Sequence, residues 1–194
     1  DELSSFYSVL NDLHRFLSTI TNVEYELEED IWQLCNERAV LLYGEPGIGK
    51  SHLLADIAND YLKQGCPAIL LLTSMFTTQD PRTQILEKLD LRGKSFSTFL
   101  GALDAAGQKA GVRALLIIDA INERNGIEIW REHLAPLIAE VKDFPYVGLL
   151  ISCRSTYLNA VIPPASPLKA IAKIEHHGFA VSGGRAAKDY LAFR

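Results

Sequence analysis

Eight residues constrain this chain more than any others: Gly44-Glu45-Pro46-Gly47-Ile48-Gly49-Lys50-Ser51. They fit the pattern GxxxxGK[ST] at every fixed position. Directly before them, Ala39-Val40-Leu41-Leu42-Tyr43 is an unbroken apolar run, which predicts a strand buried on both faces. Directly after them, Lys50 to Lys63 reads as a helix that Gly65 terminates. Glycines let a backbone curl until successive N–H groups point inward, and a helix N-terminus adds its positive end. The ligand that suits such a nest is a chain of phosphates. Lys50 is predicted to sit on the terminal phosphates, and the Ser51 hydroxyl to coordinate magnesium. Gly44, Glu45, Pro46, Gly47, Ile48, Gly49, Lys50 and Ser51, with the backbone N–H of His52, are therefore the expected nucleotide-binding residues, for ATP with Mg2+.

The same strand-then-helix rhythm continues. Apolar runs at Ala68 to Leu72, Ala114 to Ile118, Val147 to Ile151 and Ala170 to Ile174 predict further strands. Helical patterns cover 82–89, 96–109 and 129–141, with Pro81 suited to a helix start. Strand and helix in alternation predict a parallel sheet with helices on both faces, a three-layer α/β fold. Two amphipathic helices, over 3–20 and 26–37, are expected ahead of it. The predicted organisation is an N-terminal helical segment at 1–38, a phosphate-loop core at 39–180 and the start of a helical lid at 181–194. The chain does not begin with Met, and its last residues keep an amphipathic helical pattern, so a longer parent chain is expected.

Two more strands end in groups that can do chemistry. Ala114-Leu115-Leu116-Ile117-Ile118-Asp119 is an apolar run finished by a carboxylate, placed where open parallel sheets bind ligands. Alone, such an Asp is most often a turn former. Beside a phosphate loop it is the expected second magnesium ligand. Four residues later, Glu123 is the candidate that aligns and activates the attacking water, and Asn122 a candidate polar contact in the same shell. Val147 to Arg154 repeats the design, and Arg154 is expected either to reach the γ-phosphate or to form a salt bridge at the sheet edge. Lys50, Asp119, Glu123 and Arg154 are thus the predicted catalytic set.

Other features narrow the class. The net charge is −5 and no Lys/Arg stripe is visible, which weighs against nucleic acid as a partner of this segment. Cys35, Cys66 and Cys153 form no CxxC pair, consistent with a reducing cytoplasm. No apolar stretch reaches the ~18 residues a membrane span needs. His176-His177 lacks a third ligand at metal-site spacing.

Taken together, the phosphate loop, the element Asp119-Ala120-Ile121-Asn122-Glu123 and the strand end Leu149 to Arg154 resemble the STAND class of signalling ATPases, NACHT domains and bacterial antiviral STAND (Avs) proteins among them. The stretch His176 to Phe179 also resembles the segment just after the last strand in those proteins. The resemblance implies an additional-strand P-loop fold with the Asp119 strand next to the phosphate-loop strand. It implies a nucleotide-gated switch, a homo-oligomer in the full-length protein and a protein trigger sensed outside this segment. Many STAND proteins carry Asp where this chain has Asn122. Gly49 to Leu54 also resembles the phosphate loop of AAA-type DNA helicase loaders, which leaves a DNA-associated ATPase as the alternative. A scaffold that holds ATP without hydrolysing it is a further one.

Overall fold

The computed structural model describes residues 36–163 and 166–178. The expected helix over 3–20, that over 26–37 as far as residue 35, and the expected lid over 181–194 lie outside the described residues. Five strands form one sheet: β1 (Ala39–Gly44), β2 (Ala68–Leu72), β3 (Ala114–Asp119), β4 (Val147–Arg154) and β5 (Ala172–Glu175). Between them run α1 (Lys50–Lys63), α2 (Pro81–Lys88), α3 (Phe96–Ala110), α4 (Gly126–Val141) and the short α5 (Leu158–Val161). Every pairing is parallel. Among the described residues no helix is long and apolar enough to cross a membrane.

Alternate side chains of each strand serve different layers. Leu41 on β1, Leu116 and Ile118 on β3, and Leu149 and Ile151 on β4 face the larger core, with Trp130, Leu134 and Leu137 of α4 and Leu100 and Leu103 of α3. Leu42 and Ile117 face the opposite side and meet Leu54 and Ala58 of α1. The central strands are therefore apolar on both faces for a physical reason: each face is covered by helix. Trp130 and Phe76 meet edge to face, with centroids 5.4 Å apart. The Trp130 indole N–H donates to Thr73 Oγ1 at 3.2 Å, which satisfies a polar atom inside an apolar layer.

Local signals set the boundaries. Asp80 caps α2, its carboxylate accepting from Arg82 N at 3.0 Å, and Pro81 opens the helix. Ser95 caps α3 through Thr98 N at 3.0 Å, and Gly111 closes it in the left-handed conformation.

Two expectations are corrected. The last strand begins at Ala172 rather than Ala170, because Pro167–Ala170 forms a 3-10 turn capped by the Ser166 hydroxyl. The Asp119 strand is also not next to the phosphate-loop strand. The order is β2-β3-β4-β1-β5, so β4 lies between them. β4 is buried along nearly its whole length from Val147 to Cys153 and can be covered on both faces and paired on both sides. β5 carries Lys173 and Glu175, leaves most of its residues exposed and takes an edge. This order brings Ser152 and Arg154 between the phosphate loop and Asp119.

Candidate nucleotide-binding site

The ends of β1, β3 and β4 open into one cleft of about 270 Å³, whose lining includes Lys50, Ser51, Asp119, Glu123, Ser152 and Arg154. Pro46, Gly47, Gly49 and His52 also line it.

β1 runs into the loop at Gly44, and no other residue would fit there. A Cβ at this position would meet the His176 carbonyl oxygen at 2.4 Å and Ile48 Cδ1 at 2.7 Å. The chain leaving β5 passes directly over it, held by His176 N donating to Tyr43 O at 2.7 Å. Gly49 then sits at φ 96°, a left-handed turn that aims the first N–H groups of α1 into the cleft. No acidic residue occupies the first turn of α1 to oppose an anion.

Lys50 is buried and curls back over the loop. Its Nζ donates to Gly44 O at 2.8 Å and Glu45 O at 2.7 Å. An ammonium has three protons, so one remains to be aimed at a phosphate. Burial first, and the neighbouring Arg154 charge second, pull Lys50 below the ordinary lysine range, while Asp119 opposes them.

Asp119 ends β3 in a buried position. The Ser152 hydroxyl, on the neighbouring strand, donates to its Oδ1. Asn122 is also buried, and its Oδ1 accepts the backbone N–H of Arg154 at 2.9 Å. An aspartate would accept the same bond, so the departure from the STAND pattern at this position leaves the contact available. Arg154 and Glu123 form a salt bridge, Nη2 to Oε1 at 3.0 Å, each side chain 41% exposed. Of the two outcomes expected for Arg154, the structure contains the salt bridge, made inside the cleft and with the predicted water-activating carboxylate.

Lys50, Ser51, His52, Asp119, Glu123 and Arg154 are therefore brought together, with Pro46, Gly47 and Gly49. Gly44, Glu45 and Ile48 do not line the cleft. Gly44 lies beneath the loop, the Glu45 carboxylate accepts a hydrogen bond from Ser155 Oγ, and Ile48 packs against Gly178. Sequence reasoning left Ser152 outside the predicted set. Its signal was its place one residue beyond the apolar run of β4, but a serine there reads equally well as a loop residue.

The donors suit magnesium. Ser51 and Asp119 both line the cleft and offer hard oxygen ligands. Among the described residues no group of three or more His, Cys, Asp or Glu is placed to hold a metal, so the remaining ligands would be phosphate and water oxygens.

The family model for the AAA domain matches residues 34–137, more than half of the 194-residue chain. The chain belongs to the AAA domain family. The matched stretch of this AAA domain includes the phosphate loop, Asp119 and Glu123, whereas Ser152 and Arg154 lie beyond it. Solved structures similar to it include the replication initiator DnaA bound to AMPPCP and single-stranded DNA, at 18% identity over 79% of this chain and 45% of that one, with a TM-score of 0.46. Drosophila ORC bound to GC-rich DNA and Cdc6 matches at 16% identity over 86% of this chain and 58% of that one, with a TM-score of 0.47. The DnaC helicase loader matches at 17% identity over 84% of this chain and 88% of that one, with a TM-score of 0.42. The chain spans about half the length of the first two. No curated protein matches it.

Proposed function

We propose that this AAA domain is a magnesium-dependent ATPase whose nucleotide state controls an assembly of the larger protein. The observation that carries the reading is the convergence of Lys50, Ser51, Asp119, Glu123 and Arg154 on one cleft at the carboxyl ends of three parallel strands.

Each group has a distinct task. The loop N–H groups and Lys50 bind the β- and γ-phosphates. Ser51 and Asp119 hold magnesium, which neutralises charge on the phosphate oxygens. Glu123 aligns a water behind the γ-phosphate and accepts its proton as the water oxygen bonds to phosphorus, the bond to the β–γ bridging oxygen breaks and ADP leaves. A γ-phosphate that draws the Arg154 guanidinium off Glu123 makes one movement serve twice, reporting the phosphate and releasing the carboxylate for water. The arrangement couples detection to turnover.

Of the two kinds of assembly the sequence suggests, we place a AAA-type, DNA-associated ATPase ahead of a STAND-class signalling switch. The family match is to a AAA domain, and the loop Gly49 to Leu54 resembles that of helicase loaders. The STAND reading, with its antiviral role and its protein trigger, rests on the resemblance of the phosphate loop, Asp119–Glu123, Leu149–Arg154 and the stretch from His176 to a family pattern, with no matching family model beside it. The net charge of −5 counsels against a broad duplex footprint but leaves a narrow single-strand contact open to the DNA-associated reading.

Magnesium-dependent ATP hydrolysis, measured with and without single-stranded DNA, tests both levels. Turnover that Glu123→Gln abolishes while binding persists supports the ATPase. Stimulation by DNA supports the loader-like reading, and turnover indifferent to DNA returns precedence to the signalling switch. Absence of nucleotide binding, or binding unaffected by Lys50→Ala, would overturn the proposal.

A further inference from the structure

The order of the sheet sets β4 against β3, and their register runs to Ile118↔Ile151. The next pair along is Asp119 and Ser152, both buried. Three bonds join Ser152 to the segment that carries the carboxylates. The backbone N–H of Ala120 donates to Ser152 Oγ at 2.8 Å, and that of Ile121 to Ser152 O at 2.9 Å. The third runs from Ser152 Oγ to Asp119 Oδ1.

The chemistry fixes the direction of each. An amide nitrogen can only donate, so Ser152 Oγ is the acceptor from Ala120. The single hydroxyl proton is then free for the carboxylate, which can only accept when ionised. Among the described residues Ser152 is the one side-chain partner of Asp119. Its bond occupies Oδ1 and leaves Oδ2 for a ligand. Ala120 has a φ of 56°, an uncommon value for a residue with a side chain. The two N–H bonds to Ser152 hold that left-handed turn, and the turn continues to Glu123 through Glu123 N donating to Ala120 O at 2.9 Å.

We infer that Ser152 is a positioning residue for the magnesium site: it orients the Asp119 carboxylate and pins the turn that delivers Glu123. It touches neither phosphate nor water itself. Partners of this kind, one step behind a metal ligand, typically change metal affinity by 10- to 100-fold when removed. The inference rests on the ATPase reading above.

The experiment titrates Mg2+ into the chain with a fluorescent ATP analogue, beginning in EDTA, for the native protein and for Ser152→Ala, Ser152→Thr and Ser152→Cys. Thermal melting is recorded for each. Ser152→Ala is expected to need about 10- to 100-fold more Mg2+ for the same bound fraction, while its metal-free nucleotide affinity stays within about twofold. Ser152→Thr, which keeps the hydroxyl, should restore the native Mg2+ requirement. If Ser152→Ala matches the native titration, the inference fails. It fails equally if Ser152→Ala loses metal-free and Mg2+-dependent binding together, because the role is then purely structural. Should Ser152→Ala not fold, Ser152→Cys decides. A thiol of similar shape is a weak donor, so a raised Mg2+ requirement supports the inference and a native one overturns it. A native chain that binds nucleotide with no Mg2+ dependence would instead refute the magnesium-ATPase reading itself.

Discussion

Arg154→Ala and Glu123→Gln should move ATP affinity in opposite directions. In the structure Arg154 Nη2 stands 3.0 Å from Glu123 Oε1, with both side chains 41% exposed. An ion pair this open to water contributes about 0.2–1 kcal/mol. A hydrogen bond from a guanidinium to a charged phosphate oxygen is worth about 1.5–3 kcal/mol. Trading the first for the second leaves a net gain of about 0.5–3 kcal/mol, which Arg154→Ala forfeits. ATP affinity should therefore fall about 2- to 100-fold. ADP lacks the γ-phosphate, so its affinity should stay within experimental error. Glu123→Gln removes the competitor instead, and should tighten ATP by at most about fivefold while abolishing turnover. The assay is calorimetric titration of ADP and of a non-hydrolysable ATP analogue into all three proteins with Mg2+ present. If Arg154→Ala weakens both nucleotides equally, or if Glu123→Gln also weakens the ATP analogue, the exchange of partners at Arg154 is wrong.

Three further outcomes are expected from the packing. Gly107 lies inside α3, where helix propensity alone says that Ala should stabilise by about 1 kcal/mol. A Cβ there would meet Tyr146 O at 2.5 Å and Ala114 N at 2.9 Å, so Gly107→Ala should lose about 1–3 kcal/mol in urea unfolding. Thr73→Val keeps the shape but strands the buried Trp130 indole N–H, and should cost about 1–3 kcal/mol in the same experiment. Cys153 is buried, and burial pushes its thiol up to about 11 although the Lys50 and Arg154 charges oppose it. At pH 8 it stays protonated and shielded, so peptide mapping after brief alkylation should find Cys66 modified and Cys153 modified only after denaturation.

The parts legible in the sequence are those that local chemistry dictates. The left-handed turn at Gly49 favours glycine, and only an apolar run suits a strand covered on both faces. The α1 bounds Lys50–Lys63 and the β2 bounds Ala68–Leu72 could accordingly be read residue by residue. Asp119 was visible because it abruptly ends an apolar run, and Arg154 because it is the charged tip of the strand whose apolar run stops at Ile151. The shift of β5 to Ala172 was less legible, since Pro167 and Ser166 favour a turn in a stretch whose composition also suits a strand.

The class of fold, the phosphate loop and the residue types that can meet a nucleotide are all written locally in the chain, because each depends on backbone sterics or on hydrophobic periodicity over a few neighbours. The position of β4 between β1 and β3 is not; it emerges only in the folded molecule. Strand order depends on which strands can be buried on both faces and paired on both edges, a comparison among segments far apart in the chain. That one arrangement places the Ser152 hydroxyl on Asp119, the Arg154 guanidinium on Glu123 and the Asn122 amide oxygen on the Arg154 backbone, contacts separated by 31 to 33 residues in sequence. Hydrogen bonds of such span leave no local pattern. The residues that orient the site are therefore harder to read in advance than the residues that meet the ligand.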